Sequence, residues 1–336
     1  MRAAVLHAPQ DLRVEAVPDP VPGSGQVLIR IAAAGLCGTD HRIWKGDRQV
    51  GYPLIMGHEF VGRVVGVGGG AGRLRGGERV AVEPNYSCGV CDLCREGNRN
   101  LCLKRTAIGI DVPGGFAELA VVPDQCCWPI PDNVPDDEAL LTEPLGVVVR
   151  AVERGQARAG EWAAVVGGGT LGLLALQVLR AKGCRVLLVS RTDRHFGLAR
   201  ELGADAVALS RDLETSRTLS GRDGMDVVIE TAGTPEAVQI AVDLARPSGR
   251  VVLTGLPHSP SEVNFFWVVR RELTLIGSMI YQTEFQRALG LLAAGQVRAA
   301  PLITHRFPLD GIREAFLAHQ TPEAIKVALS LPGARS

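Results

Sequence analysis

The sequence shows no surplus of either charge, no hydrophobic run long enough to span a bilayer, no internal repeat and no low-complexity tract. Lys plus Arg and Asp plus Glu each total 36, for a formal net charge of +0 at pH 7. Such a chain has no global electrostatic footprint for nucleic acid or an anionic membrane, so neither is expected as a partner. Selectivity for a small-molecule substrate must come from local pockets. No stretch approaches the roughly 18 consecutive apolar residues of a transmembrane helix. Met1 to Pro9 lacks a basic start followed by a long apolar segment, which argues against a secretory leader and makes the cytoplasm the expected location.

What is present is a globular composition, 46% hydrophobic over 336 residues, enough for two domains of ordinary size. The first half is rich in β-branched residues and broken by Gly and Pro. Val27 to Ile31, Glu59 to Val67, Arg79 to Val82 and Phe116 to Val122 read as strands of an irregular β domain, and Asp136 to Gly155 reads as a helix. From Glu161 the texture becomes strand, helix, strand. Trp162 to Val166, Arg185 to Val189, Ala206 to Leu209, Asp226 to Ile229 and Arg250 to Leu253 alternate with helices at Leu171 to Lys182, Asp193 to Leu202 and Pro235 to Ala245. That alternation predicts a parallel sheet wrapped by helices. It fades after Leu273 to Gly277, and the helix Phe285 to Ala294 and the tail are expected to return to the first domain.

Gly167-Gly168-Gly169-Thr170-Leu171-Gly172 matches G-x-G-x-x-G between a predicted strand and a predicted helix, the context that gives this motif meaning among 40 glycines. Gly167 permits the tight turn, Gly169 lets the backbone approach a pyrophosphate, and Gly172 lets helix and strand pack closely. The phosphates then meet the free N–H groups of the helix start. An NAD-binding unit usually carries Asp or Glu at the end of the second strand. Here Ser190 is followed by Arg191, with Arg194 nearby, and a guanidinium pairs readily with a 2′-phosphate. NADP is expected over NAD; the competing reading gives Asp193 the ribose.

Eight cysteines in a chain without a leader read as metal-binding before they read as disulfides. Cys88, Cys91, Cys94 and Cys102 supply four thiolates within one short loop, a set that zinc takes in closed structural sites. Four thiolates around a divalent ion carry a formal charge of −2, which Arg95, Arg99, Lys104 and Arg105 can offset. Cys126, Cys127 and Cys184 are expected as small packing residues.

Two further segments each hold one good zinc donor: Gly35-Leu36-Cys37-Gly38-Thr39-Asp40 after a strand, and Gly57-His58-Glu59 before one. Alone, each is compatible with simple packing. Together with the four-cysteine lobe, Gly114-Gly115-Phe116-Ala117-Glu118, Thr142-Glu143-Pro144-Leu145 and the Gly167 to Gly172 loop, in this order, they make nearly the whole chain resemble the zinc-dependent medium-chain dehydrogenase family. The similarity is greatest to its polyol, sorbitol and threonine dehydrogenase branch. The resemblance implies an α/β fold: a GroES-like, mostly β catalytic domain (1–147 and 283–336) and a Rossmann doubly wound parallel-sheet domain (148–282), with the active cleft expected where they meet.

The resemblance also assigns roles. Cys37 and His58 match catalytic zinc ligands. Glu143 stands where this branch carries Glu and other alcohol dehydrogenases carry Cys, binding zinc directly or through water. Glu59 matches a carboxylate beside the metal that can enter its coordination sphere; for His58 and Glu59 to reach one ion, the backbone must turn, which Gly57 eases. Asp40 matches the partner that fixes the tautomer of the zinc-bound His. Thr39 matches the hydroxyl that passes the substrate proton outward. One position departs from the family. Relatives carry His two residues after the Asp, where this chain has Arg42, with His41 one place earlier; His41 or water is left to end the proton relay. His7, His195, His258, His305 and His319 lack ligand-like spacing and read as structural or solvated.

The expected reaction is reversible oxidation of a secondary alcohol of the polyol, sugar or cyclitol type. Zinc lowers the pKa of the alcohol and a nicotinamide accepts hydride. A homo-oligomer, dimer or tetramer, is expected. The alternatives are an NADP-dependent carbonyl or imine reductase on the same scaffold, a zinc-free quinone reductase, which leaves Cys37, His58, Glu143 and the lobe unexplained, and a zinc-containing nucleic-acid-binding module.

Overall fold

The computed structural model describes residues 1–331; positions 332–336, where the expected catalytic segment ends, lie outside the described residues. The chain divides into two compact units, Met1–Glu143 with Ala299–Ser336, and Pro144–Arg298. The return therefore comes at 299 rather than 283. The helix Glu284–Ala293 belongs with the second unit because it packs there: Phe285 approaches Gly146, and Arg150 Nη1 lies 3.1 Å from Glu284 Oε1.

The first unit is built on a seven-stranded sheet. Its order is Cys127–Pro129, Arg79–Val82, Glu59–Val67, Gln26–Gly35, Lys326–Ser330, Ile303–Pro308, with Leu119–Pro123 also paired to Gln26–Gly35. The last of these strands starts at Leu119 rather than Phe116; Phe116 instead turns inward and is fully buried. Alternate apolar side chains of the long strands, Val27, Ile29 and Ile31 among them, bury into one core with Phe60, Phe116, Phe316 and Leu329. The C-terminal strand is a structural part of this unit, since it pairs antiparallel with Gln26–Gly35.

The expected helix over 136–155 is two helices, Asp136–Ala139 and Thr142–Arg154. Pro144 lacks the N–H that would bond the carbonyl of Leu140, so the ladder restarts there, and the ring fits the first turn of the second helix. Glu143 is placed on that turn and is buried.

The second unit carries a six-stranded all-parallel sheet in the order Ala206–Leu209, Arg185–Ser190, Trp162–Val166, Met225–Glu230, Ala245–Leu253, Thr274–Gly277. Strands buried on both faces read as continuous apolar runs, which is how Ala163 to Val166 and Val186 to Val189 appear. The order reverses between Trp162–Val166 and Met225–Glu230, and ligands of open α/β sheets bind beyond the strand ends at such a switch. Among the described residues, no helix is long and apolar enough to cross a membrane.

Candidate functional site

Three donors meet in the first unit. A sulfur of Cys37, a ring nitrogen of His58 and a carboxylate oxygen of Glu59 all lie within 4.8 Å of one another. Local folding explains the meeting. Gly57 adopts φ 95°, a left-handed turn that places His58 before the strand and Glu59 as its first residue, so the two adjacent side chains converge instead of alternating across the sheet. Cys37 caps the helix Gly38–Lys45, and its own N–H donates to Asp40 Oδ2 at 2.9 Å. Asp40, with 0% exposure, keeps its other oxygen 3.3 Å from His58 Nδ1. Burial pushes the His58 imidazole down, yet Asp40 and Cys37 together more than offset it and hold it well above its ordinary value. An anionic environment of this kind suits a cation.

Glu59 has a partner that sequence reading missed. Lys326 Nζ lies 2.6 Å from Glu59 Oε2 and also donates to the Leu36 carbonyl at 3.1 Å. Both side chains are buried, at 3% and 1% exposure. Burial alone lowers the ammonium, but Glu59, Cys37 and Glu143 raise it above the usual lysine range, so Lys326 stays charged. Strand register makes room for the pair: Gly35 lies opposite Glu59, and a Cβ there would come 2.6 Å from Glu59 Oε2. The structure does not bring Glu143 into the three-donor group; its carboxylate is near enough to Lys326 to act on it. Thr39 is half-buried on the first turn of the Cys37 helix. His41 packs away among aromatic rings, with centroids 5.5 Å from Trp44, 6.4 Å from Phe316 and 6.2 Å from His319.

The four-cysteine lobe is a second candidate metal site. One sulfur from each of Cys88, Cys91, Cys94 and Cys102 falls within 4.8 Å of the others. Neighbouring sulfurs are 3.5 Å (Cys91 to Cys94), 3.9 Å (Cys91 to Cys102) and 3.5 Å (Cys88 to Cys102) apart. A disulfide requires about 2.05 Å. A tetrahedron with zinc–sulfur bonds of about 2.3 Å has edges of about 3.8 Å. The cysteines are free thiols set at metal-binding spacing. Backbone N–H groups of Val90 and Cys91 bring Cys88 down to about 6, toward the thiolate that a metal needs. Cys126, Cys127 and Cys184 are buried.

In the second unit, Gly167 adopts φ 118°, and a Cβ at Gly172 would sit 1.9 Å from the Gly167 carbonyl oxygen, so loop and helix cross at backbone contact. A Cβ built at Gly169 meets nothing within 4 Å, leaving open space in front of the N-terminus of the helix Thr170–Ala181. That helix starts without a side-chain cap, and the positive end of its dipole faces this space. Leu171 lies on its first turn. Ser190 ends the adjacent strand, while Arg191, Asp193 and Arg194 are exposed. His195 carries weight that its isolated position concealed. Its Nδ1 lies 2.9 Å from the Gly168 carbonyl, which only accepts, so Nδ1 bears the proton and the imidazole anchors the loop.

A GroES-like unit with a sulfur–imidazole–carboxylate cluster and a parallel-sheet unit with an open phosphate loop define a metal- and dinucleotide-linked dehydrogenase. Comparison with known proteins agrees. The family model described as alcohol dehydrogenase GroES-like domain matches residues 23–132, and that described as zinc-binding dehydrogenase matches 170–294. The chain is 31% identical to sorbitol dehydrogenase of Bombyx mori, covering 97% of each. It is 34% identical to L-threonine 3-dehydrogenase of Bacillus licheniformis, covering 94% of each. The crystal structure of a zinc-binding dehydrogenase from Sinorhizobium meliloti 1021 bound to NADP superposes with a TM-score of 0.92 at 33% identity, over 98% of each chain. The chain belongs to the zinc-dependent medium-chain dehydrogenase family.

Proposed function

We propose that the protein interconverts a secondary alcohol of the polyol type and its ketone, with zinc at the Cys37 cluster and NADP as the preferred hydride carrier. The observation that carries this reading is the convergence of Cys37, His58 and Glu59 within 4.8 Å. Zinc held there supplies Lewis acidity to the carbinol oxygen, and the nicotinamide supplies hydride acceptance. One thiolate, a neutral imidazole and one carboxylate balance a divalent charge and leave a coordination position free.

The chain's own groups do the rest. Asp40 fixes the His58 ring. Lys326 holds one oxygen of Glu59, and Glu143, close to Lys326, completes the acidic wall. Thr39 carries the carbinol proton outward. Since His41 is packed among aromatic rings and Arg42 cannot accept a proton, water ends the relay. Gly167, Gly169, Thr170, Leu171 and Gly172 cradle the pyrophosphate. Ser190, Arg191 and Arg194 select NADP, a reading supported by two guanidinium groups, with no carboxylate directly after the strand, at the end of Arg185–Ser190. The four-cysteine lobe takes a second, structural zinc.

The protein forms a homo-oligomer. Phe265, Phe266 and Val269 stand 62%, 61% and 76% exposed on the helix Phe265–Arg270, next in sequence to the edge strand Thr274–Gly277. Apolar surface of that kind beside an open strand edge favours a second subunit.

The test is metal content and turnover. Zinc-loaded protein should hold about two zincs per chain and give a higher kcat/KM with NADP than with NAD. Cys37→Ser and His58→Ala should abolish turnover while the chain still folds and binds NADP. Normal activity in His58→Ala would remove the metal assignment; a strong NAD preference would remove the cofactor assignment.

A further inference from the structure

Arg42 follows Asp40 by two residues on the helix that Cys37 caps, and the fold gives that arginine a companion. The helix Gly38–Lys45 ends at Gly46, whose φ of 87° reverses the chain. The N–H groups of Asp47 and Arg48 then both donate to the Arg42 carbonyl, at 2.9 Å and 3.2 Å. Two arginines are thereby set side by side, both half-buried. Neither guanidinium makes a hydrogen bond or an ion pair among the described residues. Some other arginines of this unit are matched with carboxylates, such as Arg79 with Asp136, Arg13 with Asp11 and Arg306 with Asp137.

The helix Gly38–Lys45 links the pair to the three-donor cluster, since Cys37 caps it and it carries both Asp40 and Arg42. Charged groups acting on Arg48 are Asp111, Arg105, Arg42 and Asp40; burial first, then the two arginines, pull it below the usual arginine range. Both acids are already engaged. Asp111 Oδ2 accepts the Ala107 N–H at 2.8 Å, and Asp40 is shared between the Cys37 N–H and His58. Asp111 also belongs to the turn that packs on Gly57, since its N–H donates to the Ala107 carbonyl at 2.8 Å and a Cβ at Gly109, within that turn, would come 2.4 Å from the Gly57 carbonyl oxygen. Positive charge left unmatched at the end of the helix that Cys37 caps, in partly desolvated surroundings, suits an anion.

We propose that Arg42 and Arg48 form an oxyanion-recognition subsite, so that the alcohol this protein oxidises bears a phosphate or a carboxylate away from the reacting carbon. The proposal rests on the three-donor cluster being the alcohol-oxidising centre. Forked guanidinium–oxyanion bonds are worth roughly a factor of 10 to 100 each in binding.

The experiment uses zinc-loaded full-length protein with NADP and three matched substrates: sorbitol, sorbitol 6-phosphate and gluconate. One of the two anionic substrates should exceed sorbitol in kcat/KM by about 100-fold or more, and which one does so separates phosphate from carboxylate. Arg48→Gln and Arg42→Gln should each lower that ratio about 10- to 100-fold, with partial recovery in Arg48→Lys. The exposed Arg63→Gln serves as control and should leave the ratio alone. An unchanged ratio in both glutamine variants overturns the proposal, as does a loss confined to the KM for NADP. Sorbitol oxidation with no gain for either anion overturns it while the proposed function stands. If no alcohol is oxidised, the function itself fails. Calorimetric titration with inorganic phosphate then decides the subsite independently: binding to the wild type, lost in Arg42→Gln/Arg48→Gln, upholds it, and equal binding to both overturns it.

Discussion

Replacing Lys326 by Met tests whether the buried ion pair organises the cluster. At 2.6 Å and an effective dielectric of about 20, the Coulomb attraction is about 6 kcal/mol, much of it offset by desolvation of both groups. The measurable cost of removing one partner is that of stranding the other. Lys326→Met leaves a carboxylate at 1% exposure without its cation, and removes the bond to the Leu36 carbonyl. Loss of about 3–5 kcal/mol is expected. Glu59→Gln added to Lys326→Met removes the stranded charge, so the double variant should recover at least about 2 kcal/mol of that loss. The assay is urea unfolding at pH 7 with and without zinc. Zinc neutralises Glu59 in another way, so the cost of Lys326→Met should shrink in zinc-loaded protein. A loss below about 1 kcal/mol in metal-free protein, or a double variant no better than Lys326→Met alone, would refute the reasoning.

Cys94→Ser should release the structural metal and lower the melting temperature while the wild-type and variant proteins, both held folded at low temperature, keep similar KM for NADP; unchanged zinc content would contradict the lobe assignment. His319 is held at about 4 by burial, with Lys326 contributing. The unfolded chain takes up this proton near pH 6.5 and the folded chain does not, so stability is full above pH 6.5 and falls by about 3 kcal/mol as pH drops to 4. His319→Gln should flatten that part of the acid-unfolding curve, and an unaltered slope would rule the histidine out. Phe266→Asp should shift the protein toward a smaller species by light scattering after gel filtration, whereas an unchanged mass would place the subunit contact elsewhere.

Legibility in the sequence followed chain distance. The Gly167 to Gly172 loop and the four cysteines declare themselves because their partners lie within a few residues, and spacing alone conveys the geometry. Cys37 and His58 were readable only as isolated donors until the order of motifs joined them. Lys326 was invisible: it opens a strand that runs on through Val327, Ala328 and Leu329, and its carboxylate partner is 267 positions away. His195 was hidden for the same reason, since its contact with Gly168 spans 27 positions. The expected helix across 136–155 failed at Pro144, where a missing N–H outweighed continuous helical composition. The return to the first unit was misplaced because an amphipathic helix such as Glu284–Ala293 shows that it has an apolar face and not which surface covers it.

Gly35 stands where a side chain would compete with the Glu59 carboxylate for one small volume. The strand pairing fixes that volume, so the competition cannot be relieved by sliding the strands without turning every neighbouring residue inside out. A single hydrogen in place of a methyl group thus decides where a negative charge rests beside the cluster. Any larger residue at this position would displace that charge from Lys326, and the electrical balance of the centre would change with no donor atom altered.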